Sequence, residues 1–232
     1  MTDEIRTTRE RFEVDGMAAW FTFREDTNDR HAVLSCFSSD EYSIKSLGVG
    51  DVAIDIGAHI GGVTVRMAMQ GARVYAFEPV PENYELLCEN VKQNGLDELV
   101  TCYREAVTDE NGPTAVYLGA DSDPWHRFIA GKYTRHDHPR PAPGVTLDTI
   151  FERDDIQWCD VIKMDAEGVE YEIMRVVSVD TLERVGRIVG ELHGVPGAPV
   201  DQRAGLLSYT HGVFVDATLT GNTAAFNFEA AR

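Results

Sequence analysis

Two short apolar runs between Arg11 and Phe23 flank Asp15-Gly16, a dipeptide that tolerates the positive φ angles of a tight turn, and they predict an N-terminal β-hairpin. Polar residues 24–30 follow, and His31 to Leu47 shows no clean period, so residues 1–48 read as a hairpin and cap set before the core. From Asp51 the rhythm changes. Val52-Ala53-Ile54-Asp55-Ile56 predicts a buried strand, Gly61 to Met69 a helix and Arg73 to Phe77 a second strand, an order that implies parallel pairing. Pro81 to Gln93 predicts a helix opened by proline and closed by Asn94-Gly95, followed by strands at Leu99 to Tyr103 and Thr114 to Leu118. Residues 119–144, with prolines 124, 139, 141 and 143, read as a long irregular insertion of the kind that forms lids. The alternation resumes with a strand over Cys159 to Met164, a helix over Glu167 to Val177, a strand over Arg187 to Leu192 and a helix over Val200 to Tyr209. Val213 to Thr218 and Ala224 to Phe228 close the chain as an antiparallel pair. The pattern predicts one α/β domain over residues 49–232: a seven-stranded, mostly parallel, Rossmann-like sheet with helices on both faces, behind the cap.

The first core strand ends in Asp55-Ile56-Gly57-Ala58-His59-Ile60-Gly61, where glycines let the backbone turn sharply and admit a ligand. Glu78 closes the second strand 21 residues after Gly57, where a carboxylate can accept hydrogen bonds from two ribose hydroxyls. Together they make a nucleoside-cofactor site. Gly57 and Gly61 are separated by three non-glycines, which disfavours the pyrophosphate cradle of dinucleotide folds. Asp55 would repel a pyrophosphate and attract the α-ammonium of a methionyl group, so S-adenosylmethionine fits better than NAD. An NAD-dependent dehydrogenase and a catalytically silent nucleoside-binding module stay open as alternatives.

Composition narrows the partners. The formal charge of −18, from 39 acids against 21 lysines and arginines, repels phosphate backbones and anionic membrane surfaces, so neither nucleic acid nor membrane insertion is expected. A small-molecule or glycan acceptor is expected instead. The charged start and the lack of a long apolar run point to a cytoplasmic protein, and the acidic excess fits a saline host as well as an ordinary acidic one. Cys36, Cys88, Cys102 and Cys159 are too scattered for a zinc or redox pair. Oligomeric state is not legible.

The segments Asp55-Ile-Gly-Ala-His-Ile-Gly61, Phe77-Glu78-Pro79 and Ile162-Lys163-Met164-Asp165-Ala166-Glu167-Gly168-Val169-Glu170 resemble the FkbM family of methyltransferases over about residues 48–193. The first two are widespread among class I methyltransferases; the K-x-D-x-E-G-x-E signature is more particular. The resemblance implies O-methylation, commonly of sugar or polyketide hydroxyls. It also implies cofactor contacts from Asp55, Gly57, Ala58, His59, Gly61, Glu78, Pro79 and Asp165, with Glu105 and Ala106 beside adenine. The bland alternative for Asp165, Glu167 and Glu170 is capping of the following helix.

A methyl acceptor must also lose its proton. Asp165 ends one strand, and Glu191 with His193, two apart and so on one side of an extended chain, ends its neighbour. His193 is expected as the base with Glu191 or Asp165 orienting it. Alternatively Asp165, Glu191 and His193 hold a divalent ion such as Mg²⁺ that acidifies the acceptor oxygen. Histidines 126, 136 and 138 read as solvated loop residues.

Overall fold

The structure, a computed structural model, describes residues 6–38, 42, 44, 47–117, 139–193, 216–221 and 225–231. Strands β1 (Thr7–Val14) and β2 (Met17–Arg24) pair antiparallel around Asp15 and Gly16, both at positive φ as that turn requires. Helix α1 (Asp29–Val33) then runs into a π-helical turn, Leu34–Ser38. Phe12, Phe21 and Phe37 meet edge to face, so hairpin and cap share one apolar seam.

The core elements follow in chain order: β3 (Val52–Ile56), α2 (Gly62–Met69), β4 (Arg73–Phe77), α3 (Pro81–Gln93), β5 (Val100–Tyr103), β6 (Ala106–Val107), β7 (Gly112–Tyr117) and β8 (Pro139–Val145). Then come α4 (Leu147–Arg153), β9 (Val161–Met164), α5 (Glu170–Val176), α6 (Val179–Leu182), β10 (Arg187–His193), β11 (Asp216–Gly221) and β12 (Ala225–Ala231). The large sheet has the order β11-β12-β10-β9-β3-β4-β5. Its five strands β10 to β5 run parallel, and β12 and β11 add to it antiparallel.

Alternation along each strand sorts the core into two layers. Ala53, Val74, Ala76, Val161 and Val189 pack with α2, α3 and the N-terminal hairpin. Ile54, Ile56, Ile162, Met164 and Ile188 pack with α4, α5 and α6 on the opposite face. The same parity decides the polar pair: Asp55 and Lys163 are register partners and project into the hairpin-side layer.

Three expectations change. The helix placed at Glu167 begins at Glu170, because Glu167 and Gly168 hold positive φ angles of 51° and 112° that no helix accommodates. The irregular insertion ends earlier than residue 144: Pro139–Val145 is a strand between β6 and β7. Thr108 N donates to Val145 O, so odd-numbered residues of β8 face β6, and β6 reaches back only to Ala106. Prolines 139, 141 and 143 therefore turn their missing N–H groups to the side where no described strand continues. Helices α4 and α6 were not expected; each opens on a hydroxyl cap, Thr146 accepting from Thr149 N and Ser178 from Thr181 N. Residues 118–138 and the helix expected over Val200 to Tyr209 lie outside the described residues. No helix of the described residues is long and apolar enough to cross a membrane.

Candidate active site

The functional residues gather at the carboxyl ends of β3, β4, β9 and β10. After Ile56 the chain turns so tightly that Gly57 N and Ala58 N both donate to Phe77 O at 3.0 Å. Gly57 has φ 74°, and a Cβ there would collide with the Asp165 carbonyl, so only glycine lets β3 and the loop after β9 approach. His59 also sits at positive φ, 51°, before Gly61 opens α2.

Glu78 is almost fully buried. Its Oε2 accepts from His59 N at 2.9 Å, its Oε1 from Val80 N at 2.9 Å and from Asn83 Nδ2 at 3.4 Å. Burial pushes its carboxyl above the usual range, against the pull of His59 and these donors. Glu78 stands between two spaces. One is a narrow slot lined by Phe77, Pro79, Glu105, Ala106, Val116 and Val169. The other is a cavity of about 420 Å³ between the cap and the loop Gly57 to Ile60, with Lys163, Asp165, Glu167 and Glu191 in its wall. Glu105 forms an ion pair with Arg153 at 2.8 Å beside the slot.

Asp55 lines neither space. It is fully buried, Oδ2 accepting from Thr64 Oγ1 at 2.6 Å and Oδ1 lying 3.4 Å from Lys163 Nζ. Burial opposes the Lys163 charge, but Asp55 and Asp165 together raise its pKa above the ordinary lysine value. Lys163 Nζ also donates to Ile56 O and Gly57 O, at 3.3 and 3.0 Å, so the Asp55–Lys163 pair braces the glycine turn from beneath. Asp55, expected to attract a methionyl ammonium directly or through water, thus supports the loop from beneath. Lys163, inside a quoted motif, had no role in the sequence reading; a lysine in an otherwise apolar strand was the available signal.

Around His193 the sequence expectation of convergence is met and enlarged. Nε2 lies 3.4 Å from Glu167, 3.5 Å from Glu191 and 3.9 Å from Asp165, while Nδ1 bonds Glu170 Oε1 at 2.9 Å. The buried Glu170 also accepts from Ala166 N at 3.0 Å and Gly168 N at 3.1 Å. It does more than cap α5: it ties the loop after β9 to the end of β10. Burial alone would lower the pKa of His193, but the hydrogen bond to Glu170 and the charges of Glu170, Glu167 and Asp165 push it up to about 10. The surrounding carboxylates thus favour the protonated form of the residue expected as the base. Burial first, and Asp165 next, push Glu167 up to about 8.

Asp165, Glu170 and His193 each place one ligand atom within 4.8 Å of the others, a spacing a cation can bridge. That trio differs from the expected Asp165, Glu191 and His193, since Glu170, not Glu191, holds Nδ1. A nucleoside with a methionyl arm suits the chain: Glu78 and Asp165 border both slot and cavity, and the buried Asp165 Oδ1 has no hydrogen-bond partner among the described residues.

A probable cobalt-precorrin-6B C(15)-methyltransferase (decarboxylating) from Methanothermobacter thermautotrophicus is 41% identical over 54 residues, 23% of this chain and 28% of that protein's length. An rRNA methylase structure from Streptococcus thermophilus superposes with TM-score 0.51 at 12% identity, covering 82% of this chain and 90% of that one. A T. thermophilus 16S rRNA N2 methyltransferase in complex with AdoMet and guanosine gives TM-score 0.50 at 12% identity, covering 99% of this chain and 51% of that one. At such identities the likeness is one of fold. It nevertheless corrects the expectation that nucleic acid is excluded: enzymes of this fold include rRNA methylases, and a chain-wide charge sums over all faces without describing the field at one mouth. The model of the methyltransferase FkbM domain matches residues 55–213, from the Asp55 strand end past His193, which sets aside the dehydrogenase alternative. The chain belongs to the FkbM methyltransferase family.

Proposed function

We propose that the protein methylates a hydroxyl of a sugar, glycan or small-molecule metabolite. The observation that carries this reading is the convergence of Asp165, Glu167 and Glu191 on His193 beside the cofactor crevice, since a hydroxyl must surrender a proton as it is methylated and a neutral hydroxyl is a weak nucleophile without a base. S-adenosylmethionine supplies the methyl group from its sulfonium. Glu78 would hold the ribose hydroxyls, Pro79, Glu105 and Ala106 would border the adenine, and Asp165 would attract the ammonium.

Glu167 receives the acceptor proton. Its pKa of about 8 lies close to a working pH, the condition under which a general base is both available and strong enough. The His193 imidazolium offers Nε2–H to the acceptor oxygen or to Glu167, and Glu170 fixes which nitrogen faces the reaction. Asp165 and Glu191 offer acceptors to neighbouring hydroxyls, the contacts a polyol would use. The cap closes the cavity from above and limits the water that could compete.

The test is a screen with methyl-labelled S-adenosylmethionine against sugar, glycan, amine and RNA acceptors, with the linkage of the new methyl group identified by NMR. Label on oxygen of a sugar or metabolite supports the proposal. Label only on nitrogen or carbon, or only on RNA, overturns it, and absence of turnover with retained cofactor binding returns the chain to a silent nucleoside-binding module.

A further inference from the structure

The N-terminal hairpin and α1 carry none of the family's motifs, yet they are wired into the cofactor loop by a closed circuit of polar groups, buried except for the partly exposed His59. Arg24, the last residue of β2, grips Asp29 at the start of α1: Nε donates to Oδ2 at 2.7 Å, Nη2 to Oδ1 at 2.9 Å and the Arg24 backbone N to Oδ2 at 3.1 Å. The same Nη2 donates to Asn83 Oδ1 on α3 at 2.7 Å, and Asn83 Nδ2 reaches Glu78 Oε1 at 3.4 Å. On the other side, Asp29 Oδ1 lies 3.4 Å from Nε2 of His59, whose backbone N donates to Glu78 Oε2 at 2.9 Å. Each carboxylate oxygen of Glu78 is thus reached by one arm that begins at Arg24 and Asp29.

Asp29, Asn83 and Glu78 are each 3% exposed or less. Burial opposes ionisation of Asp29, but hydrogen bonds with His59 and Arg24 hold its carboxyl well below the usual range, so the Arg24–Asp29 pair keeps its charge. A buried, fully paired charge has few alternative arrangements, and breaking one partner leaves the other uncompensated. His59 is also the residue that carries positive φ in the loop, a backbone state that persists only where surrounding groups impose it.

We propose that Arg24 and Asp29 are positioning residues of the cofactor site: acting through His59 and Asn83, they aim the two oxygens of Glu78 at the ribose. The cap is then part of the cofactor site, beyond its role as a roof over the cavity. This inference rests on the assignment of Glu78 to the ribose.

Calorimetry with two ligands separates this role from general stabilisation. S-adenosylhomocysteine and its analogue lacking both ribose hydroxyls are titrated into the wild type, Asp29→Asn, Glu78→Ala and Asn94→Ala. Asn94 pins the same hairpin to the end of α3, accepting from Trp20 N and donating to Trp20 O at 2.8 Å, but lies outside the circuit. The expected result is a roughly ten-fold or greater rise in Kd for S-adenosylhomocysteine in Asp29→Asn, no comparable rise for the dihydroxyl-lacking analogue, and no change for either ligand in Asn94→Ala. If Asp29→Asn fails to fold, Arg24→Lys, which keeps the charge but loses the two-pronged grip, is expected to give the same contrast. An unchanged Kd in the folded variant, or an equal loss for both ligands, overturns the inference. If Glu78→Ala weakens S-adenosylhomocysteine while Asp29→Asn does not, only the positioning role fails. If Glu78→Ala binds normally, the ribose assignment fails and the positioning role falls with it.

Discussion

At the scale of single residues the site is governed by how negative charge is housed. Glu78 accepts from two backbone N–H groups in an otherwise desolvating place, and the proposed function gives its remaining lone pairs to a ribose. Glu78→Ala should weaken S-adenosylmethionine binding by about 1–3 kcal/mol, because buried hydroxyls lose a charged acceptor; calorimetry on the folded variant checks this, and unchanged affinity would remove the assignment. His193 makes a second claim. Its pKa rises from 6.5 to about 10 in the fold and that of Glu167 from 4.5 to about 8, so both bind protons more tightly when folded. Their contributions to stability are complete below the unfolded values and fade as pH rises through the folded ones. The melting temperature should therefore fall between pH 6 and pH 10, and His193→Gln should flatten the upper part of that decline. Differential scanning calorimetry across this range decides it. That Glu78, Asp165, Glu191 and His193 stand at or beside strand ends was legible in the sequence because the period of those strands is clear. The role of Glu170 was not, since a glutamate in a helix's first turn looks like a dipole partner until His193 is seen 2.9 Å away from it.

At the scale of elements, the sheet strands and α3 were readable because apolar periodicity and a proline start leave little choice, whereas α4 and α6 are short and depend on hydroxyl caps. The β8 strand was hidden by its prolines, which argue against strand until their common parity is matched to a side without a partner. Contacts between distant elements were invisible in one dimension. Asn90, on α3, is the clearest: Oδ1 accepts from Thr22 N at 2.7 Å, and Nδ2 donates to Ile60 O at 2.7 Å and Thr22 O at 3.1 Å. This one fully buried side chain binds the hairpin to both the helix and the cofactor loop. Asn90→Ala leaves two buried carbonyls and one N–H unsatisfied and should cost about 2–4 kcal/mol, read as a lower midpoint in urea unfolding. A loss under about 0.5 kcal/mol would mean that water or a neighbour replaces the amide without penalty.

For the whole molecule the same accounting of charge applies on a larger scale. A net charge of −18 stores self-repulsion that counterions screen over a Debye length of about 10 Å at 0.1 M salt, so the melting temperature should rise between low and molar KCl. A flat profile would show that the surface acids are already balanced locally. The global charge does not by itself exclude a class of partner, because the field at the crevice is set by the charges around it and not by their sum over the whole surface. The central claim is that methyl transfer occurs at the ends of β9 and β10 with Glu167 as proton acceptor, and it is tested most directly by one comparison. Label transfer from S-adenosylmethionine to the best hydroxyl acceptor is followed against pH in the wild type and in Glu167→Gln, alongside cofactor affinity. The account predicts wild-type kcat/KM rising through a pKa near 8, and in Glu167→Gln a loss of about 10²-fold or more with cofactor Kd nearly unchanged. Undiminished turnover in Glu167→Gln with the same pH profile would contradict it.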